Sequence, residues 1–143
     1  MREPTSEHIS AIETLLADSG LPTDDLNHQD LSLFRIEVSS DGLDAVGGLE
    51  RCDNSALLRS VATKQSMRGS GLAGNIIRKL EQLAATEGFD NLYLLTESAQ
   101  SYFESKGYIT VERSDVPVSI RKSQQFSSLC PDTAVVMFKR VGV

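Results

Sequence analysis

The chain has 143 residues, 40% of them hydrophobic and 24% charged, which suits one soluble domain with a buried core. Its net charge of −6 argues against non-specific nucleic-acid binding, and no basic patch with interleaved aromatics stands out. No apolar run approaches membrane length and the opening MREPTSEH is too polar and acidic for a signal peptide, so the expected setting is the cytoplasm, without a membrane or nucleic-acid partner.

Residues 1–30 read as a short N-terminal strand or arm followed by one or two helices. Thr5 or Ser6 can cap a helix whose apolar face carries Ile9, Ile12, Leu15 and Leu16. Gly20-Leu21-Pro22 stops it, and Thr23-Asp24-Asp25-Leu26 can cap a second, shorter helix. Three strand signals follow: Leu31 to Ser39, Ala45 to Arg51 and Ala56 to Ala62. Ser40-Asp41-Gly42 and Cys52-Asp53-Asn54 are the turns between them, which predicts an antiparallel meander. Gly47-Gly48 inside the second strand permits a bend or the close approach of another group.

The meander leads into a polar loop, Thr63 to Met67, and then the glycine-rich turn Arg68-Gly69-Ser70-Gly71-Leu72-Ala73-Gly74. Beyond it Leu72, Ile76, Ile77, Leu80, Leu83 and Ala84 form one stripe of a 3.6-period helix, ended at Glu87-Gly88. A strand, a glycine turn and a helix make an anion site. The first helical turn has backbone N–H groups without intrahelical partners, glycines let a phosphate approach, and Arg68 adds a full charge. Gly69, Gly71 and Gly74 spell G-x-G-x-x-G, but a dinucleotide turn follows its strand almost directly and sits among βαβ units, whereas five or six residues intervene here. No Gly-Lys-Ser/Thr occurs, which excludes a Walker loop.

After the helix, Asn91 to Leu95 is a continuous apolar run, suited to a central strand parallel to the one before the helix. The tail holds a strand at Tyr108 to Arg113, a loop with Pro117 and a last strand near Ala134 to Arg140. Cys52 and Cys130 have no C-x-x-C spacing, and His8 and His28 are isolated, so no metal site is expected and the thiols read as reduced and partly buried. A weaker reading makes the two cysteines a soft-metalloid site.

The run Val61…Arg68-Gly69-Ser70-Gly71-Leu72-Ala73-Gly74 resembles the acetyl-CoA signature of the GCN5-related N-acetyltransferases, Arg/Gln-x-x-Gly-x-Gly/Ala, with its core on Arg68, Gly71 and Ala73. Ala99 to Tyr108 (AQSYFESKGY) is similar to the same family's later helix-to-strand element, Ala-x-x-Phe-Tyr-x-x-x-Gly-Phe, at the usual separation. The resemblance implies an α/β (α+β) GNAT fold. Residues 1–143 would be one acetyltransferase domain with a mixed central sheet flanked by helices and acetyl-CoA in a cleft between two splayed strands. It implies acetyl-CoA held by Val61, Ala62, Arg68, Gly69, Ser70, Gly71, Leu72 and Ala73, with Thr96 where many relatives carry an asparagine near the pantetheine. Family members are often dimers, which makes a homodimer an expectation.

The stretch Ile120-Arg-Lys-Ser-Gln-Gln-Phe126…Leu129-Cys130-Pro131 resembles the tail of the arsenic-resistance-associated subset, which suggests the primary amine of a small molecule, an amino acid or an analogue, as acceptor. Direct attack in a ternary complex needs a neutral amine, a positioned thioester and donors aimed at the oxyanion. Glu50, on the strand beside Leu57 to Ala62, is the first candidate for general base, with Asp53 weaker. An amino-acid acceptor calls for a carboxylate clamp, with Arg59 favoured over Arg113 and Arg121. The family's usual tyrosine proton donor falls at Phe103, and the adjacent Tyr102 points about 100° away on a helix, so no general acid is assigned. That departure supports an alternative, a degenerate acyl-CoA-binding or sensing module.

Overall fold

The computed structural model describes residues 1–123, 126 and 133–142. Its strands form one mixed sheet in the order β1-β2-β3-β4-β6-β5. By internal contacts the chain divides into two compact units, Met1–Glu50 with Leu58–Leu83, and Arg51–Leu57 with Ala84–Val143.

The first unit contains helix α1 (Ile9–Asp18), strand β1 (Phe34–Ser39), most of β2 (Gly42–Cys52) and β3 (Ser55–Thr63), and most of helix α2 (Leu72–Thr86). α1 puts Ile12, Leu15 and Leu16 into a core with Leu26, Phe34, Ile36, Val46 and Ala62, as its periodicity predicts. A short 3₁₀ turn at Ser6–His8 precedes it, where the Thr5 N–H donates to His8 Nδ1 at 3.0 Å. The second helix expected after Thr23 is only a single 3₁₀ turn, Leu26–His28, because Asp25 is drawn into a buried ion pair instead of capping a helix. Leu31–Leu33 is likewise a 3₁₀ turn, with Asp30 accepting from the Ser32 N–H, so β1 starts three residues later than the strand pattern suggests. The expected N-terminal arm is present: Arg2 and Ile36 exchange both backbone hydrogen bonds, at 2.9 and 2.8 Å.

The glycine pair of β2 is explained by what lies against it. β1 and β2 are antiparallel with Phe34 opposite Gly48, and a Cβ on Gly48 would meet the Phe34 ring at 2.5 Å. A Cβ on Gly47 would meet Ile76 and Leu80 of α2 at 2.5 and 2.9 Å. Ile76 and Leu80, both fully buried, therefore seat α2 directly on the β2 backbone. Gly48→Ala is expected to cost about 1–3 kcal/mol by overpacking against a ring that cannot bend away. Urea unfolding reads this as a lowered midpoint at unchanged slope.

The second unit contains β4 (Asn91–Thr96), helix α3 (Gln100–Ser105), β5 (Ile109–Val111), helix α4 (Val118–Arg121) and β6 (Val135–Arg140). Ser55–Leu57 of β3 pair in parallel with Asn91–Tyr93 of β4, as the crossover through a helix requires. β6 is antiparallel to both β4 and β5. The apolar run of β4 is buried at Leu92, Tyr93 and Leu94, in keeping with a central strand. Cys52, Leu57, Tyr93, Val116, Ile120 and Val136 form this unit's core. Two expectations are corrected here. The strand after Tyr108 is only three residues long, and the loop with Pro117 contains α4, a one-turn helix for which Pro117 supplies the N-cap position.

Candidate active site

The glycine turn leads into a helix where the sequence predicts one. α2 opens at Leu72, and its first backbone bond runs from the Asn75 N–H to the Gly71 carbonyl at 3.1 Å, so the N–H groups of the first turn have no intrahelical partners. Gly69 and Gly71 have φ of 81° and 87°, and nothing lies within 4 Å of a Cβ built on either. Both observations are needed: the backbone conformation favours glycine, and the space beside it is open. The turn is braced from behind, since Arg68 Nε donates to the Thr63 carbonyl at 3.2 Å and the Ser70 hydroxyl donates to the Met67 carbonyl. Lys64 Nζ lies 3.0 Å from Asp44, and that hydrogen bond holds the Asp44 carboxyl below its ordinary value against the opposing effect of burial. Lys64 and Arg68 also line a groove of about 620 Å³ with Thr14, Asp18 and Ser19, whose walls carry both signs of charge.

Just upstream, β3 carries an irregularity that sequence reading missed. Ser60 has φ of 58°, the left-handed region, which costs a non-glycine residue about 1–2 kcal/mol. Strain of this kind persists only where the surroundings hold it, and Ser60 is held: its hydroxyl accepts from Arg59 Nε at 3.1 Å. Val61 is half-buried and Ala62 buried, immediately after this irregular residue.

Arg59, expected to clamp a substrate carboxylate, is committed elsewhere. Its guanidinium donates to both oxygens of Asp25, each at 2.6 Å, and to Glu50 Oε1 at 2.8 Å. With the Ser60 contact, four of its five N–H donors are engaged. Burial alone would lower the Arg59 pKa, but hydrogen bonds and charges from Asp25 and Glu50 outweigh it and raise it above the arginine norm. Glu50 and Arg59 are therefore brought together, and Asp25 is a functional candidate that the sequence did not reveal.

The remaining expected residues are dispersed. Asp53 is exposed in the β2–β3 turn with φ of 55°. Thr96 Oγ1 accepts from the Ala99 N–H at 3.0 Å, tying the end of β4 to the start of α3. Phe103 is buried and packs edge-on against Tyr108, while Tyr102 is 38% exposed. Arg113 donates to the Ala134 carbonyl at 2.7 Å and stacks over Phe126, and Arg121 is exposed at the end of α4. Cys52 is buried; Cys130, and with it the two-cysteine reading and most of the subset-like tail, lies outside the described residues. Among the described residues no group of histidine, cysteine, aspartate or glutamate could hold a metal, and no helix is long and apolar enough to cross a membrane.

No family model and no curated protein matches the chain. Solved structures do. N-acetylglutamate synthase from Neisseria gonorrhoeae, complexed with coenzyme A and N-acetyl-glutamate, superposes with a TM-score of 0.83 at 17% identity over 98% of this chain and 34% of that one. An acetyltransferase of the GNAT family from Staphylococcus aureus Mu50 gives 0.78 at 16% identity over 98% and 97% of the two chains. The fold is that of GNAT acetyltransferases. A Mycobacterium tuberculosis protein in complex with CoA agrees, with a TM-score of 0.81 at 18% identity over 97% of both chains. The chain spans about a third of the length of the N. gonorrhoeae synthase, and the other two GNAT-fold proteins match it nearly end to end.

Proposed function

We propose that this chain is an acetyl-CoA-dependent N-acetyltransferase that acts on the primary amine of a small molecule by direct attack in a ternary complex. The observation that carries the reading is the glycine-opened start of α2, with Gly69 and Gly71 at positive φ beside open space, on a fold that acetyltransferases share. Bound there, acetyl-CoA supplies an activated thioester carbonyl. Arg68 and the N–H groups of the turn Gly69-Ser70-Gly71-Leu72-Ala73 hold the pyrophosphate, where partial positive charge is already in place. Backbone groups at Val61 and Ala62 hold the pantetheine and polarise the thioester oxygen, and Thr96 is a further contact.

Glu50 acts as the base. It takes one proton from the ammonium form of the acceptor; the nitrogen lone pair then forms the C–N bond as the C–S bond breaks, and the second nitrogen proton leaves through solvent to the thiolate. Coenzyme A leaves tolerably as a thiolate, its thiol pKa being about 8.5 by analogy with cysteine, so the phenylalanine at position 103 does not block the reaction. The homodimer and the arsenic-resistance-associated subset belong to the same reading and rest on sequence resemblance, and the cytoplasmic setting rests on the polar, acidic opening and the lack of a membrane-length apolar run.

Calorimetric titration with acetyl-CoA, with NAD(H) in parallel, tests the cofactor, and thiol release in a panel of small amines tests the transfer. Saturable acetyl-CoA binding with thiol release is the expected result. Absence of binding would remove the reading. Binding without thiol release would favour the second reading, an acyl-CoA-binding module, which the burial of Phe103 at the usual proton-donor position supports.

A further inference from the structure

The loop that carries the glycine turn is fastened to a strand it does not follow. Between the pairs Glu37–Ala45 and Val38–Leu43 the register of β1 and β2 slips, and Asp44 is the residue left over. A bulge of this kind takes a side chain out of the strand's alternation and re-aims it. Here the re-aimed group is a carboxylate, and Asp44 is only 4% exposed. It meets Lys64, the residue after β3, at two points. The Lys64 N–H donates to the Asp44 carbonyl at 2.8 Å, and Lys64 Nζ lies 3.0 Å from Asp44 Oδ1.

From Lys64 onward the loop is bonded to itself. The Met67 N–H donates to the Lys64 carbonyl at 2.8 Å, which closes a 3₁₀ turn over Gln65–Met67. The Arg68 N–H donates to the Gln65 carbonyl at 3.3 Å and the Ser70 N–H to the Met67 carbonyl at 3.4 Å. A chain of short local bonds therefore runs from Lys64 into the glycine turn, and Asp44 grips its first residue.

We propose that Asp44 is a positioning residue for acetyl-CoA: through Lys64 it holds the turn Gln65–Met67, and with it Arg68 and the glycines, in the conformation that receives the pyrophosphate. The proposal rests on the acetyltransferase reading and adds a residue that is assigned no contact with either ligand. A loop ordered in advance has less freedom to lose when the ligand arrives, so the hold appears as affinity. Charge alone predicts the opposite. Lys64 and Arg68 line the same groove, and an anion beside them opposes a polyanionic ligand, so its removal would tighten binding. The two roles differ in sign.

The test is calorimetric titration of the full chain with acetyl-CoA below the melting transition of every variant. Asp44→Asn is expected to raise the dissociation constant at least about fivefold, against the Coulomb sign. Lys64→Met should do the same, and the double variant should bind about as weakly as either, because both changes remove one hold. In the unliganded protein, hydrogen exchange at the Met67 amide should quicken in each variant. A merely structural role would lower the melting temperature and leave the affinity of the folded protein intact. Unchanged or tighter binding in Asp44→Asn, or losses that add in the double variant, would overturn the proposal. If Asp44→Asn fails to fold, Lys64→Met decides: weaker binding with quickened exchange supports the hold. Weaker binding with unchanged exchange overturns it, since Lys64 would then meet the phosphates directly. Wild-type protein that binds no acetyl-CoA would instead remove the acetyltransferase reading, and the proposal with it.

Discussion

Gly71→Glu is expected to abolish acetyl-CoA binding, raising the dissociation constant at least about 100-fold, a loss of about 2.8 kcal/mol. The new side chain has room, since nothing lies within 4 Å of a Cβ there, so no clash propagates into the core. The backbone cost is the left-handed conformation at φ of 87°, about 1–2 kcal/mol for a non-glycine residue. The remaining effect is electrostatic: a carboxylate at the mouth of α2 satisfies the donors and field that would otherwise meet the pyrophosphate. Gly20→Glu is the matched control, because Gly20 also has positive φ, at 73°, and open surroundings, but follows α1. Both variants should lose similar stability in thermal melts. If the Gly71 variant kept wild-type acetyl-CoA affinity, the pyrophosphate would have to bind elsewhere.

Arg59→Met should be strongly destabilising, at about 3–5 kcal/mol, because it removes the guanidinium from which both oxygens of the buried Asp25 carboxylate accept. Glu50 can recover part of its loss from water; Asp25, almost wholly enclosed, cannot. Adding Asp25→Leu to Arg59→Met should return much of the stability, since a buried ion pair replaced as a whole by apolar side chains is often neutral or better. Urea denaturation of the two single variants and the double variant measures the coupling directly. A loss below about 1 kcal/mol for Arg59→Met would place the pair among exposed, weakly contributing ion pairs.

What the sequence made legible was local. The stripe of α2, the left-handed glycine at 88 that ends it, and the hairpin turns follow from periodicity and backbone sterics within a few residues. Gly47-Gly48 announced close approach without saying by what. What escaped depends on partners far along the chain. Nothing near Asp25 marks it as the mate of Arg59, 34 residues on, and that ion pair left the predicted second helix as one turn. Ser60 looks like an ordinary strand serine until its φ is known. α4, with four residues, is too short for any period to show. The site was half visible for the same reason. The glycine turn is a local device, whereas the charge network at Arg59 is assembled across three segments.

The exchange between Arg2 and Ile36 has a practical side. β1 is the outermost strand in the sheet order, and an open border of that kind invites another chain to add itself. Here residue 2 occupies the backbone groups of Ile36, in the middle of the strand. Trimming the first few residues, or fusing a bulky tag against them, would bare a template for self-association in a protein whose fold was otherwise untouched.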